Sequence, residues 1–508
     1  ISSVTAGWGT YLNATEDNSD GTVTVVTSGA ENGQRVTVAL NGTNYFDNVS
    51  NNSTAVTFAA SGLQALTDGD NYTLTTNVSD AAGNAATVNT GTSFTYDITT
   101  PMISGGVAIT SATGIQNNLL NAGDNVSVTA TFSENSPVTG TPQLTLAVGD
   151  DNQTATYASS GNGGTTLVFK YTIQAGDNDT NGISIRANAL ALDNGTISDL
   201  AGNNAILTHS PVDNNSSYMV DTEAPRVDNF TLSDTALKAG DNATVTLEFS
   251  EAVASFSSAD DITVDNGTLA TMTSSDNITW TGTFTPLANT EEDNTTLSLG
   301  TSYTDLAGNA GPAATTANYA IDTLLPTISS VTAGWGTFLN ATEDNSPGTV
   351  TVLTSGAEND QTVTVALNGT NYTGTVSDNS TSVTFAATGL QALTDGSSYT
   401  LTTNVSDAAG NAATVNTDTS FTYDITAPTI SGGVTITSAT GIQNNFLNAG
   451  DVVSVTATFS EVVNITGTPQ LTLAVGSTNR TATYASGSSS TSLVFQYTIQ
   501  AGDNDTDG

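Results

Sequence analysis

The 508-residue sequence has no cysteine, six lysines and arginines together, and one histidine, His209. Each shortage removes a class of chemistry. Without thiols no disulfide can brace the fold, so core packing, bound ions or tight interfaces must do it. With no Cys and one His, zinc and copper sites drop out, and so does a nucleophile activated by a placed histidine base. Carboxylates are numerous but scattered through turns, so no glycosidase pair stands out and the chain reads as non-catalytic. The only lysines are Lys170 and Lys238, so 1–101 and 328–428 have none for lysine–asparagine isopeptide staples. No run approaches the ~18 apolar residues of a membrane-spanning helix. No segment carries a helical stripe either.

What the chain does have is acid. Its 48 aspartates and glutamates against six basic residues give a formal charge of −42. Such a surface repels nucleic acid and anionic membranes, and its natural small partners are cations. The same charge keeps an extracellular protein soluble in salt. The chain starts at a strand-like "ISSVTAG" with no leader or anchor motif, and we read it as an excerpt from a longer extracellular or cell-surface protein.

Internal repetition organises the rest. "ISSVTAGWGTYLNATEDNS" at Ile1 returns as "ISSVTAGWGTFLNATEDNS" at Ile328, and the match runs on with a single-residue deletion in a Gly/Ser loop. Each period closes three units on an Asp-x-x-x-Pro signature. The units are placed at 1–101, 102–225 and 226–327, the first recurs at 328–428, and an incomplete copy of the second fills 429–508. The matching point in the earlier copy is followed by "ISIRANALALDNGTISDLAGNNAILTHS" and "YMVD", so the last unit is expected to lack its final strands. Either the protein continues or another segment completes that sheet.

Within a unit the period is two: "TVTVVTS", "QRVTVALNG" and "YTLTTNVSD" alternate apolar and polar residues between Gly/Asn/Asp/Ser turns. About seven short strands per hundred residues predict tandem immunoglobulin-like β-sandwiches, an all-β chain forming an elongated string. In "SDAAGN", Asp80 is expected to accept backbone amides while Gly83 takes a positive φ. Asp199 with Gly202, Asp305 with Gly308 and Asp407 with Gly410 repeat the roles. The last strand then ends at Asp97, Asp221, Asp322 or Asp424, and a proline four residues on stiffens the joint to the next unit. Trp8, Trp280 and Trp335 read as core or junction packing rather than sugar platforms.

The stretches "YTIQAGDNDTNGISIRANAL", "TFSE…GTPQLTLAVG" and "TALKAGDNATVTLEFSEAV", with D-x-x-G-N turns leading to "YAIDTLLP", resemble the Ig-like domains found in tandem in giant prokaryotic cell-surface proteins. These include repeat-in-toxin adhesins and surface-layer or stalk proteins. The resemblance implies extender modules and calcium at domain junctions that rigidifies the string. Here the linker and hairpin aspartates Asp80, Asp97, Asp199, Asp221, Asp305, Asp322, Asp407 and Asp424 are the candidate ligands. Glu16, Asp17, Asp177 and Asp179 are further oxygens in reach of a hard cation's six to eight positions. The other reading of these aspartates is that they cap turns.

About half of the asparagines lie in Asn-x-Ser/Thr, roughly twice the share that a chain about a quarter Ser/Thr gives by chance. The acceptors so marked include Asn13, Asn41, Asn52, Asn77, Asn125, Asn152, Asn178, Asn194, Asn229, Asn242, Asn266, Asn277, Asn294, Asn340, Asn368, Asn379, Asn404, Asn464, Asn479 and Asn504. Either N-linked glycans shield the strands, or the excess reflects strand-and-turn composition. The expected function is structural: a stiff spacer, or the building block of a filament or coat. Its partners would be neighbouring copies or the rest of a longer chain. The alternative is a set of calcium-dependent adhesin modules that hold glycans or proteins in their end loops.

Overall fold

A computed structural model describes residues 1–508. It is almost entirely β; the helical elements are single turns, Ala60–Leu63, Ser258–Asp261 and Ala387–Leu390, with a 3₁₀ turn at Asn162–Gly164. No helix is long and apolar enough to cross a membrane. The chain divides into two compact units, one of residues 1–237, 241–287 and 292–321, the other of 238–240, 288–291 and 322–508.

The first unit holds three separate apolar clusters. The earliest is a two-layer sandwich. Ser3–Ala6, Gly21–Val26 and Ser53–Phe58 form one antiparallel sheet, in that order. Tyr11–Leu12, Asn89–Tyr96, Asn71–Val78, Arg35–Leu40 and Thr43–Asn48 form the other. Tyr11–Leu12 runs parallel to Asn89–Tyr96 while its neighbours run antiparallel. A first strand that divides between two sheets and returns beside the last is Ig-like topology. The alternation drives the layers together: Val23 and Val25 share one core with Val36 and Val38, while Thr22, Thr24 and Arg35 are exposed. Trp8 is buried in that core, edge-on to Phe58 and Phe94.

The second cluster lies under a six-stranded sheet, Leu190–Ala191, Gln143–Val148, Asp151–Gly161, Thr166–Thr172, Asn125–Phe132 and Ile103–Thr113. Its extra length runs from about residue 178 to 218 and makes only short pairings, such as Leu190–Ala191 with Gln143–Leu144. Those residues nonetheless close the core, because Ile183, Ile185, Leu190 and Ile197 are all buried in one cluster with Leu144 and Leu146. His209 lies there in a loop; its Nε2 accepts the Ala189 N–H at 2.8 Å. The third cluster sits under Val227–Leu232, Ala243–Phe249, Thr279–Pro286 and Gly267–Leu269, with Trp280 half-buried on Phe256.

The second unit repeats the first two architectures. Trp335 packs edge-on to Phe385 and Phe421 as Trp8 does in the earlier copy. The sheet formed by Ile430–Ala439, Val452–Val463, Ser490–Thr498, Thr478–Ser486 and Gln470–Val475 has a far smaller core. Only Ala457, Val463, Ala482, Leu493, Phe495 and Tyr497 cluster as buried residues. Leu471 and Leu473, the counterparts of Leu144 and Leu146, are half-buried, and Phe446 is 67% exposed. In the earlier copy the 183–221 segment covers these positions.

Candidate cation-binding joints

The D-x-x-G-N turn is built around its aspartate. Asp305 Oδ1 accepts the amides of Ala307, Gly308 and Asn309 at 2.7–2.9 Å, and Gly308 has φ +95°. Asp80, Asp199 and Asp407 accept the amide of the turn's asparagine at 2.7–2.8 Å, with Gly83, Gly202 and Gly410 at φ +90° to +96°. The asparagine's own amide then donates back to the aspartate, as Asn203 Nδ2 does to Asp199 Oδ2 at 2.7 Å. One carboxylate oxygen accepts the turn's backbone amides and the other accepts the asparagine side chain.

Within the first unit the turn meets the end of the preceding sandwich. Asp97 follows strand Asn89–Tyr96, Glu134 follows strand Asn125–Phe132, and Asp199 starts a D-x-x-G-N turn. Their carboxylate oxygens lie within 4.8 Å of one another. Asp221, Glu251 and Asp305 form the same constellation one joint further on. Three carboxylates this close repel while ionised. Burial, and then the charge of Asp199, pushes Asp97 above its usual range, and burial with Asp97 and Asp199 does the same to Glu134. Burial, then Asp221 and Asp305, pushes Glu251 up to about 7, with Arg226 opposing only weakly. Either triad can hold a metal ion. Oxygen-only, anionic donors suit a hard divalent cation, whose remaining positions water and carbonyls would fill.

Of the eight aspartates read from the sequence, the structure gathers Asp97 with Asp199 and Asp221 with Asp305. Asp80, Asp322, Asp407 and Asp424 belong to no such triad. In the second unit Asp322 is pushed up by burial and by the charges of Asp407, Glu291 and Glu358. Glu358 accepts the Ala408 N–H at 2.8 Å, and Glu31 accepts that of Ala81 in the earlier copy. Asp424 closes its strand, donating its N–H to Leu339 O.

Glu134 and Glu251 were missed, although "FSE" occurs at 132–134, 249–251 and 459–461. That recurrence was the available signal. The loop oxygens expected to help are otherwise engaged. Asp17 is buried and accepts Tyr96 Oη–H at 2.7 Å. Asp177 accepts Tyr171, Gln174 and Gln153. Asp179 caps Gly149 and Gly182, and Glu16 caps Asn13.

The sequon asparagines are mostly exposed; Asn13, Asn125, Asn229, Asn266 and Asn404 are half-buried. Several have a backbone reason to be asparagine. Asn41-Gly42 and Asn368-Gly369 are two-residue hairpin turns with both φ positive, and Thr43 and Thr370 simply open the next strand. Asn52 and Asn379 also sit at positive φ, each before the serine that opens a strand. Asn13 differs: its Nδ2, the atom a glycan would modify, donates to Ala201 O at 2.9 Å.

Fold and joint together define a class, tandem Ig-like sandwiches with acidic junctions. More particularly, residues 221–321 match the family model described as "Bacterial Ig-like domain". No curated protein matches the chain. Among solved structures, one described as a Ca2+-stabilized adhesin that helps an Antarctic bacterium reach out and bind ice is 24% identical. That match covers 84% of this chain and 99% of the other, at a TM-score of 0.39. The tetra-tandem repeat in the extending region of a large adhesion protein is 17% identical over 83% and 99%, at 0.30. These superpositions are too loose to argue from.

Proposed function

We propose that the chain is a non-catalytic spacer segment of a longer cell-surface or extracellular protein. In this reading five Ig-like domains, 1–101, 102–225, 226–327, 328–428 and 429–508, follow one another through short joints that a divalent cation, calcium, makes stiff. The observation that carries it is the pair of carboxylate triads. Each draws one aspartate from the end of one sandwich and a glutamate and an aspartate from the next. A cation there neutralises repulsion that the folded chain otherwise has to bear, and it does so only when the two sandwiches are docked.

Binding that requires the docked state stabilises it by RT ln(1 + [L]/Kd), about 2.7 kcal/mol at a hundredfold excess over Kd. Calorimetric melting of the full chain at pH 8 tests the idea. Millimolar calcium should raise the melting temperature by several degrees over excess chelator. Superimposable melts would remove the cation from the account. N-glycans on the exposed sequons belong to the same reading, and glycopeptide mapping of native material is their test.

A further inference from the structure

The joints contain a second set of contacts with no carboxylate in it. At the first joint Asn13 Nδ2 donates to Ala201 O at 2.9 Å, and Ala14 N–H donates to Asn203 Oδ1 at 3.0 Å. Asn203 Nδ2 also reaches the Asp97 carbonyl at 2.8 Å. Two asparagines, one from each sandwich, thus bond reciprocally to each other's loops. Asn203 is 5% exposed, so these bonds are shielded from water and an unpartnered amide there would be costly. Between them lies Gly202 at φ +96°, where an added Cβ would sit 3.4 Å from Asn13 Nδ2.

The next joint repeats the contact with different loop sequence around it. Asn121 Nδ2 donates to Ala307 O at 3.0 Å, Asn117 Nδ2 to Leu306 O at 2.9 Å, and Asn309 Nδ2 to Asp221 O at 3.0 Å. A Cβ on Gly308 would overlap Gln116. "NAT" at 13–15 and "NAG" at 121–123 share the asparagine that does the bonding.

We propose that this asparagine clasp sets the register of these two joints without a cation, so that metal tightens a joint already docked. It stands independently of the calcium reading. Asn13 also lies in a sequon, and a sugar on Nδ2 would need the space where that atom packs on the Ala201–Gly202 loop. In material able to glycosylate, Asn13 is therefore expected bare.

The absence of cysteine makes the test clean. Spin labels on Ala55→Cys and Asn152→Cys, exposed positions in the first two sandwiches, report the spread of distances across the joint in the full chain. Asn13→Ser keeps a cap for the loop amides, which Asn13 Oδ1 accepts at Thr15 and Glu16, but is too short to reach Ala201. Asn203→Ala removes the other arm.

In excess chelator the unsubstituted joint should give a narrow distribution, and Asn13→Ser should widen it at least twofold. Millimolar calcium should narrow the Asn13→Ser distribution again, because that residue lies outside the triad. Equal widths for both proteins in chelator would overturn the clasp, whether both are narrow or both broad. If calcium has no effect on either while the variants still broaden, the clasp stands and the cation reading fails.

Discussion

Glu251 illustrates what a single side chain stores at a joint. Its carboxyl is held up to about 7 by burial and by Asp221, Asp305 and Glu223, so at pH 8 it is ionised against its surroundings. Glu251→Gln keeps the shape and removes the charge. In chelator at pH 8 the variant should melt higher than the unsubstituted chain, because one of three repelling charges is gone. In calcium the order should reverse, since a ligand is gone too. Melts that keep the same order in both buffers would mean Glu251 does not face the ion. Gly308→Ala belongs at this scale as well. It places a Cβ at φ +95° and against Gln116, and should cost more than the 1 kcal/mol or so typical of glycine replacement at strained φ.

At the scale of strands and turns, one contact ties the last strand of a sandwich to its first loop. Tyr96 Oη–H donates to buried Asp17 at 2.7 Å, and Tyr423 to Asp344 at the same distance in the repeat. Burial and Asp17 together push the Tyr96 hydroxyl well above its ordinary value. Tyr96→Phe leaves the Asp17 carboxylate short of a donor in a buried site, at a cost of about 1–3 kcal/mol. Urea unfolding should show it as a lower midpoint with an unchanged slope. An unaltered midpoint would mean water replaces the hydroxyl.

Elements are also where legibility in the sequence has its limit. Long strands such as Arg35–Leu40 and Asn125–Phe132 were readable because strict alternation buries one face. The D-x-x-G-N turns were readable because Asp and Gly have distinct backbone roles there. Two-residue pairings such as Tyr11–Leu12 and Leu119–Leu120 are too short for any period to register. The triads were half-legible for a different reason. Asp97 and Asp199 lie about a hundred residues apart, and only docking brings Glu134 between them. Asp17 was misread because a loop carboxylate looks the same in sequence whether it faces solvent or a buried tyrosine.

For the whole molecule, the carboxyls held away from their ordinary range fall into two sets with opposite pH behaviour. Asp68 and Asp395 clamp the chain leaving their sandwiches. Asp68 accepts Thr99 Oγ1–H at 2.5 Å and Ile98 N–H at 2.8 Å, and Asp395 accepts Thr426 and Ile425. Those bonds, the threonine hydroxyl first, hold both carboxyls below the ordinary range. Their stabilisation is complete above the ordinary carboxylate range and is lost as pH falls through the folded values.

Asp97, Glu134, Asp221, Glu251 and Asp322 are shifted the other way, chiefly by burial. Without a cation their ionisation costs stability at high pH, and that cost is relieved as pH falls through the raised values. In chelator the melting temperature should therefore climb from pH 8 to about pH 5 and turn down only once pH falls below the ordinary carboxylate range, where the unfolded chain takes up protons that the clamps still exclude. Calcium needs the ionised triads, so its stabilisation should be greatest at pH 8 and fade as Glu251 protonates. The two curves should separate above about pH 6 and merge below about pH 5. A calcium increment that stays constant from pH 8 to pH 5 would place the ion on ordinary surface carboxylates and not in the joints.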